Sequence, residues 1–313
     1  MSRSIWTTRR LRAPGSQLVL VFAVALLTGC SSLQHVTAPL LPSLDRDWQR
    51  SMARLPTAEF QDGRVQIHGI RDFVHTNGDD YIENYLDATY NLDDVVGVDF
   101  VMAPFAKESS FAHTMLSFRF RDGRVLSVSV EARLEKGEHY HPLPASVHQF
   151  ELMYVVATER DVIMRRTKSG VDVHIYPMRV SSQEAKSLLV AVLHRVNKLA
   201  SEPEFYDTLT NNCTTNIVRH VNSLSPARIP LNWRVLFPGY SDRLAYDLGL
   251  IDTNLPFAAA RRAARVNDRA QPHLSTLAFS AALRSTTIAV AKNREEPAPR
   301  LGIFPGDRPS SRR

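Results

Sequence analysis

Two alternating stretches on either side of Asp122-Gly123 constrain this chain more than any other feature. In residues 113–120, Leu116, Phe118 and Phe120 share one face of an extended segment, and Met115, Ser117 and Arg119 share the other. In residues 124–131, Leu126, Val128 and Val130 oppose Val125, Ser127 and Ser129. A slip of one residue would exchange the faces, so the apolar sets define the register. A two-residue turn sets Phe118 against Ser127 and Leu116 against Ser129. A three-residue loop sets Phe118 against Leu126, Leu116 against Val128 and Ser117 against Ser127. The second pairing is the expected one, and it places His113 opposite Glu131 on the polar face. A carboxylate there orients an imidazole and stabilises its cation.

The chain has 313 residues and two cysteines. Cys30 closes Leu27-Thr28-Gly29-Cys30 behind an apolar run, Leu18 to Leu27, that follows a basic leader. That run is too short for a spanning helix and reads as the core of a lipoprotein signal, in which Cys30 takes a diacylglyceryl group. Ser31 after the cysteine is compatible with sorting to an outer membrane. Cys213 is then a single thiol in an oxidising compartment, where unpaired cysteines are unusual. A buried, inert cysteine is the plain alternative. Asn211 and Asn212 precede Cys213, and residues 214–222 can form a helix with Ile217, Val218 and Val221 inward. A thiol on the first turn of a helix has its anion stabilised by free N–H groups and the dipole. Cys213 is therefore the candidate nucleophile.

Four of the 38 basic residues, Arg3, Arg9, Arg10 and Arg12, lie in the leader, and the remaining 34 face 32 acidic ones. That near-neutrality gives no reason to expect nucleic acid, and one free thiol rules out a zinc–cysteine cluster. No cofactor and no metal are expected.

The chain divides into a signal peptide (1–29), a tether (30–45), a catalytic domain (46–255), a helical extension (256–285) and a disordered tail (286–313). Strands are expected at 64–71, 95–103, 152–157 and 171–176. Ser181-Ser182-Gln183-Glu184 is a capping-box start, and Ala185, Leu188, Leu189, Val192, Val196 and Leu199 mark one face of the helix behind it. Residues 241–250 form a further helix. The acidic stretch 75–94, with Asp79, Asp80, Glu83, Asp87, Asp93 and Asp94, reads as a solvated surface. Residues 257–269 form a basic helix, with a solvated face or membrane-surface contact as its two readings. His139 and His141 are a weak metal candidate, and His68, His194 and His220 read as structural or surface residues.

Cys213 as nucleophile, His113 as base and Glu131 as orienting group make a complete acyl-transfer set. The Cys213 N–H, with the Asn212 side chain as a second donor, would serve the oxyanion. Several long motifs carry a resemblance: Ala112-His113-Thr114-Met115-Leu116-Ser117-Phe118, Val130-Glu131-Ala132-Arg133, Asn211-Asn212-Cys213-Thr214-Thr215-Asn216, Trp233-Arg234-Val235-Leu236 and Pro238-Gly239-Tyr240-Ser241-Asp242. In this order they resemble the Lnb N-terminal periplasmic domain family across about residues 45–270. The resemblance implies a cysteine–histidine pair, which falls on Cys213 and His113, and lipoprotein N-acyltransferase-type chemistry. It also implies an α+β, permuted papain-like fold, with an antiparallel sheet packed on helices. The expected partners are a membrane, through the Cys30 anchor, and a lipid-linked or acylated envelope substrate. A cysteine amidase or peptidase and a non-catalytic envelope scaffold are the other readings.

Overall fold

The structure, a computed structural model, describes residues 41–77, 80–106, 109–140, 149–225 and 229–291, with side chains through 285. Cys30, the signal peptide and most of the tether lie outside the described residues, as do His141 and the tail from 292. In chain order the strands are β1 (Thr57–Gln61), β2 (Arg64–Arg71), β3 (Val74–His75), β4 (Tyr81–Ile82), β5 (Tyr85–Asn91), β6 (Val95–Pro104), β7 (Ala112–Phe120), β8 (Val125–Arg133), β9 (Glu151–Thr158) and β10 (His174–Pro177). The helices are α1 (Glu159–Lys168), α2 (Ser182–Ser201), α3 (Cys213–Leu224), α4 (Trp233–Leu236), α5 (Ser241–Asp247), α6 (Phe257–Ala264) and α7 (Thr276–Ala291).

The main sheet runs β1-β2-β9-β8-β7-β6-β10, with β5 also paired to β2. The expected hairpin register is the observed one: Phe118 pairs with Leu126, Leu116 with Val128 and Ser117 with Ser127. The loop has three residues, and Gly123 at φ +85° takes the left-handed position such a loop requires. One expectation needs correction. The sheet is mixed, not purely antiparallel, because β2 meets β9 in a parallel pair at Arg71 and Ala157. The class is α+β with helices packed on this mixed sheet.

Even-numbered side chains of β6 and β7, such as Phe100 and Leu116, face Leu188 of α2, Ile217 of α3 and Leu244 of α5. The opposite face carries Asp99, Ser117, Ser127 and Ser129, all fully buried. This serine face is therefore not solvated; α1 and α7 cover it, Ser117 and Ser127 bond each other at 2.8 Å, and Ser129 bonds to His113 and Glu131. Arg284 of α7 clamps both layers, donating to Asp99 of β6 and to both carboxylate oxygens of Glu159 of α1, each at 2.6 Å or slightly more.

The capping box forms as expected, with Ser181 and Glu184 exchanging hydrogen bonds at the start of α2. The basic segment 257–269 is a packed helix followed by a turn. Ala260 and Ala264 are buried, Arg261 reaches Asp242 at 3.3 Å, and Arg265 reaches Asp172 at 2.8 Å. The segment 286–291, expected to be tail, continues α7. The acidic stretch is a set of surface ion pairs on β5 and its flanks: Asp87 with His68, Asp93 with Lys186 and Asp94 with Arg121. The segment beginning at 171 becomes a strand only at His174. Sequence periodicity gave no sign of α1, which starts on the Thr158 cap directly after β9.

The start of α1 is held by a buried charge cluster. Asp161 accepts from Arg71 at 2.8 and 3.0 Å, from the Phe73 N–H at 2.9 Å, and contacts His75 Nε2 at 3.0 Å. Burial pushes the Asp161 carboxyl up, but Arg71 and these hydrogen bonds outweigh it and bring its pKa down to about 2. Its folded pKa lies below the unfolded value, so the stabilisation is complete above about pH 4 and is lost as pH falls toward 2. Urea unfolding should show a loss of about 2 kcal/mol across that window. Asp161→Ala should cost about 3–5 kcal/mol at neutral pH, because Arg71 is left buried without a partner. It should also flatten the acid dependence.

Candidate active site

The site lies where β7 and β8 stop pairing. Their last registered pair is Met115 with Ser129, so residues 112–114 leave the ladder on that side. The first residue of α3 fills the opening. Cys213 is 4% exposed, and its sulfur lies 4.0 Å from the Ala112 carbonyl oxygen. The Thr114 N–H and hydroxyl hydrogen-bond to it. Thr114 Oγ1 also meets Thr214 Oγ1 at 3.0 Å, which fastens the helix to the strand.

Helix α3 begins one residue earlier than the apolar pattern suggested, because Asn212 is an N-cap. Its side-chain oxygen accepts from the Thr215 N–H, and Thr215 Oγ1 accepts from the Asn212 N–H. The Asn212 amide nitrogen donates to the Thr208 carbonyl at 2.6 Å. The structure thus gives Asn212 a capping task, and its side chain also lines the cleft. The Cys213 N–H, at the first helical position, has no partner within the helix.

The expected pair of His113 and Glu131 is formed, with Nε2 and Oε1 3.2 Å apart. Ser129, which sequence reasoning did not single out, sits between them. Its hydroxyl donates to Glu131 Oε1 at 2.6 Å, and its oxygen lies 2.6 Å from His113 Nε2. With the Ser129 proton spent on Glu131, Ser129 accepts from Nε2–H. This leaves Nδ1 as the ring nitrogen for the Cys213 thiol, to which His113 is hydrogen-bonded. Arg166, also unforeseen, donates from Nη2 to Glu131 Oε1 at 3.1 Å and from Nη1 to the Val162 carbonyl. Charge therefore alternates along Cys213, His113, Glu131 and Arg166.

The electrostatics follow from that alternation. Burial pushes the Cys213 thiol up, but the hydrogen bond and charge of His113, with the two donors of Thr114, bring it down to about 7. Burial, the largest effect, lowers His113, but the Glu131 charge and the hydrogen bonds with Cys213 and Glu131 together outweigh burial and Arg166 and raise it. Burial would raise Glu131, yet His113 and Arg166 hold it well below the usual carboxylate range. Burial brings Arg166 down to about 10, with Glu131 opposing.

A cleft of about 280 Å³ opens over the pair, its walls including Phe105, Phe111, Val130, Leu134, Tyr140 and Tyr206. Tyr140 hydrogen-bonds with Tyr206 and Thr208. Burial, then the Cys213 charge, holds Tyr206 well above its ordinary pKa, so it stays a neutral hydroxyl beside the thiol. Pro238 also lines the cleft. The turn after it requires glycine, since a Cβ on Gly239 would collide with the Ser109 and Ser110 main chain. Asp242, fully buried behind that turn, accepts from the Tyr176 hydroxyl at 2.8 Å. The other histidines stand apart: His68 pairs with Asp87 on the surface, His194 stacks on Phe60, and His220 meets the Tyr154 hydroxyl at 2.9 Å. His139 is exposed, and among the described residues no three His, Cys, Asp or Glu side chains gather to hold a metal.

Cys213 alkylation by a neutral reagent should rise with pH about a midpoint near 7. His113→Ala should move that midpoint upward by one unit or more, on the order of a tenfold loss of thiolate at neutral pH. Arg166→Met should act in the same direction, because Glu131 then loses one of the charges that keep it ionised.

No curated protein and no solved structure matches the chain. The sequence model of one family does, over residues 81–239, from β4 to the turn at Gly239, and it takes in His113, Glu131, Arg166 and Cys213. The family is one of periplasmic domains, which supports a periplasm-facing location in the bacterial envelope. On this match, which covers half of its length, the chain belongs to the Lnb N-terminal periplasmic domain family.

Proposed function

We propose that this protein is a thiol acyltransferase or hydrolase of papain-like design, tethered by a diacylglyceryl group on Cys30 and acting on lipid-linked or acylated envelope substrates. The observation that carries the reading is the buried Cys213 at a helix start, hydrogen-bonded to a histidine that Glu131 holds, beneath an open cleft. A cysteine on the first turn of a helix, packed against antiparallel strands that carry the histidine and carboxylate, supports the permuted papain-like arrangement. Outer-membrane placement rests on Ser31 following the anchor cysteine.

In this mechanism the Cys213 thiolate attacks an ester or amide carbonyl. The oxyanion that forms takes the free Cys213 N–H. Collapse transfers the His113 Nδ1 proton to the leaving group and leaves a thioester on Cys213. Water or an amine then gives its proton to His113 while attacking the thioester, which frees the thiolate. Glu131 keeps the ring in one tautomer and stabilises its cation throughout. The apolar wall of Phe105, Phe111, Val130 and Leu134 suits an acyl group.

Incubation with membrane lipids and acylated lipoprotein, followed by mass spectrometry, should find a hydroxylamine-sensitive acyl adduct on Cys213. The adduct should be absent in Cys213→Ala and reduced at least 10²-fold in formation rate in His113→Ala. Cleavage of envelope peptides without acyl capture would favour the amidase reading instead. Neither adduct nor cleavage, with an unreactive thiol, would remove the enzyme reading.

A further inference from the structure

The last turn of α1 carries two adjacent arginines with different surroundings. Arg166 turns to Glu131 and is consumed there. Arg165 also lines the cleft and is half-buried, yet among the described residues its guanidinium donates no hydrogen bond and meets no carboxylate within ion-pair distance. Its main-chain carbonyl accepts from Ser169 Oγ at 3.0 Å.

The remaining cleft charges cancel. Glu131 lies between His113 and Arg166, and the Cys213 thiolate faces the imidazolium. Arg165 also acts on Glu131, but with that carboxylate already held by His113 and Arg166 it is the excess positive charge among the described residues of the cleft. A basic residue in a last helical turn does favour the helix dipole, but a solvated side chain such as Lys168 suffices for that. A guanidinium set into the wall of a cleft, with its planar fork of donors unspent, is the usual means of reading a carboxylate or phosphate. The cleft also continues into a larger groove of about 830 Å³ through shared walls at Phe105, Ser169 and Val171, so a substrate anchored at Arg165 has room to extend.

We infer that Arg165 forms an anion subsite in the cleft, taking an oxygen anion of the substrate, a phosphate ester or a carboxylate, beside the reacting carbonyl. The inference deepens the reading of Cys213 as nucleophile, but binding at Arg165 is measurable without any turnover.

The test compares Cys213 alkylation by iodoacetate and by iodoacetamide in the full chain in detergent, with the modified peptide read by mass spectrometry. A change in thiol pKa affects both reagents alike, so the ratio of their rates isolates the attraction of the cleft for an anion. Arg165→Gln should lower that ratio about tenfold. Inorganic phosphate or acetate should slow iodoacetate in the wild type, and whichever competes at the lower concentration identifies the group. An equal ratio in both proteins, with neither anion competing, would overturn the subsite. If Cys213 reacts with neither reagent, the nucleophile reading falls, and the phosphorus-31 line width of inorganic phosphate decides the subsite alone. Broadening that Arg165→Gln removes would support it, and broadening absent or unchanged in the variant would reject it.

Discussion

A largely buried carboxylate, Glu131, is the group on which the rest of the site depends. Its side chain is 13% exposed, largely withdrawn from water with one anionic charge, a state that is costly unless opposite charges and donors surround it. His113 on one side, Arg166 on the other and the Ser129 hydroxyl supply them. The three come from two structural devices. The hairpin register brings Ser129 and His113 to Glu131, and α1 delivers Arg166. The Asn212 cap then fixes where α3 begins, which puts the thiol within reach of the imidazole. The position of α1 is in turn held by Asp161 on Arg71 and by Glu159 on Arg284. Charge pairs on one face of the sheet thereby set the protonation of a thiol at its end.

The half of this that concerns β7 and β8 was legible in the sequence, because strand alternation around a turn leaves few registers and only one joined the apolar sets. The placement of Glu131 beside His113 follows from counting along that register. The capping box of α2 was equally plain. Helix α1 was not legible, since Val162, Ile163 and Met164 are buried in succession and show no helical period. Without α1 there was no reason to notice Arg166. The parallel contact of β2 with β9 leaves no local mark, because its partners are far apart in sequence and no turn joins them. Ser117, Ser127 and Ser129 read only as a polar face, and nothing local shows that a helical layer covers them and that their hydroxyls find partners inside it. Asn212 stands out by its position alone, and its capping role is not separable in sequence from oxyanion donation, because both call for the same residue type at the same place.

The family match spans residues 81–239, while the structure draws on both sides of it. Strands β1 and β2 extend the sheet, and α7 returns Arg284 to Asp99 in its middle. The segments outside the matched region therefore help to hold the matched one. In the proposed reading the reaction centre is rigid, supported from two layers, and the substrate specificity is left to the cleft wall and its loops.

The activated thiol depends most directly on the protonation of His113, which labelled-imidazole NMR reports through the ring nitrogen shifts across a pH titration. Glu131 and the thiolate should keep His113 cationic above pH 6.5, its ordinary pKa, with Nε2–H retained toward Ser129. Cys213→Ala should lower that titration, and Glu131→Gln should lower it further. A ring that is neutral at pH 6 in the wild type, or one that titrates identically in all three proteins, would contradict the alternating chain of charges and the activated thiol built on it.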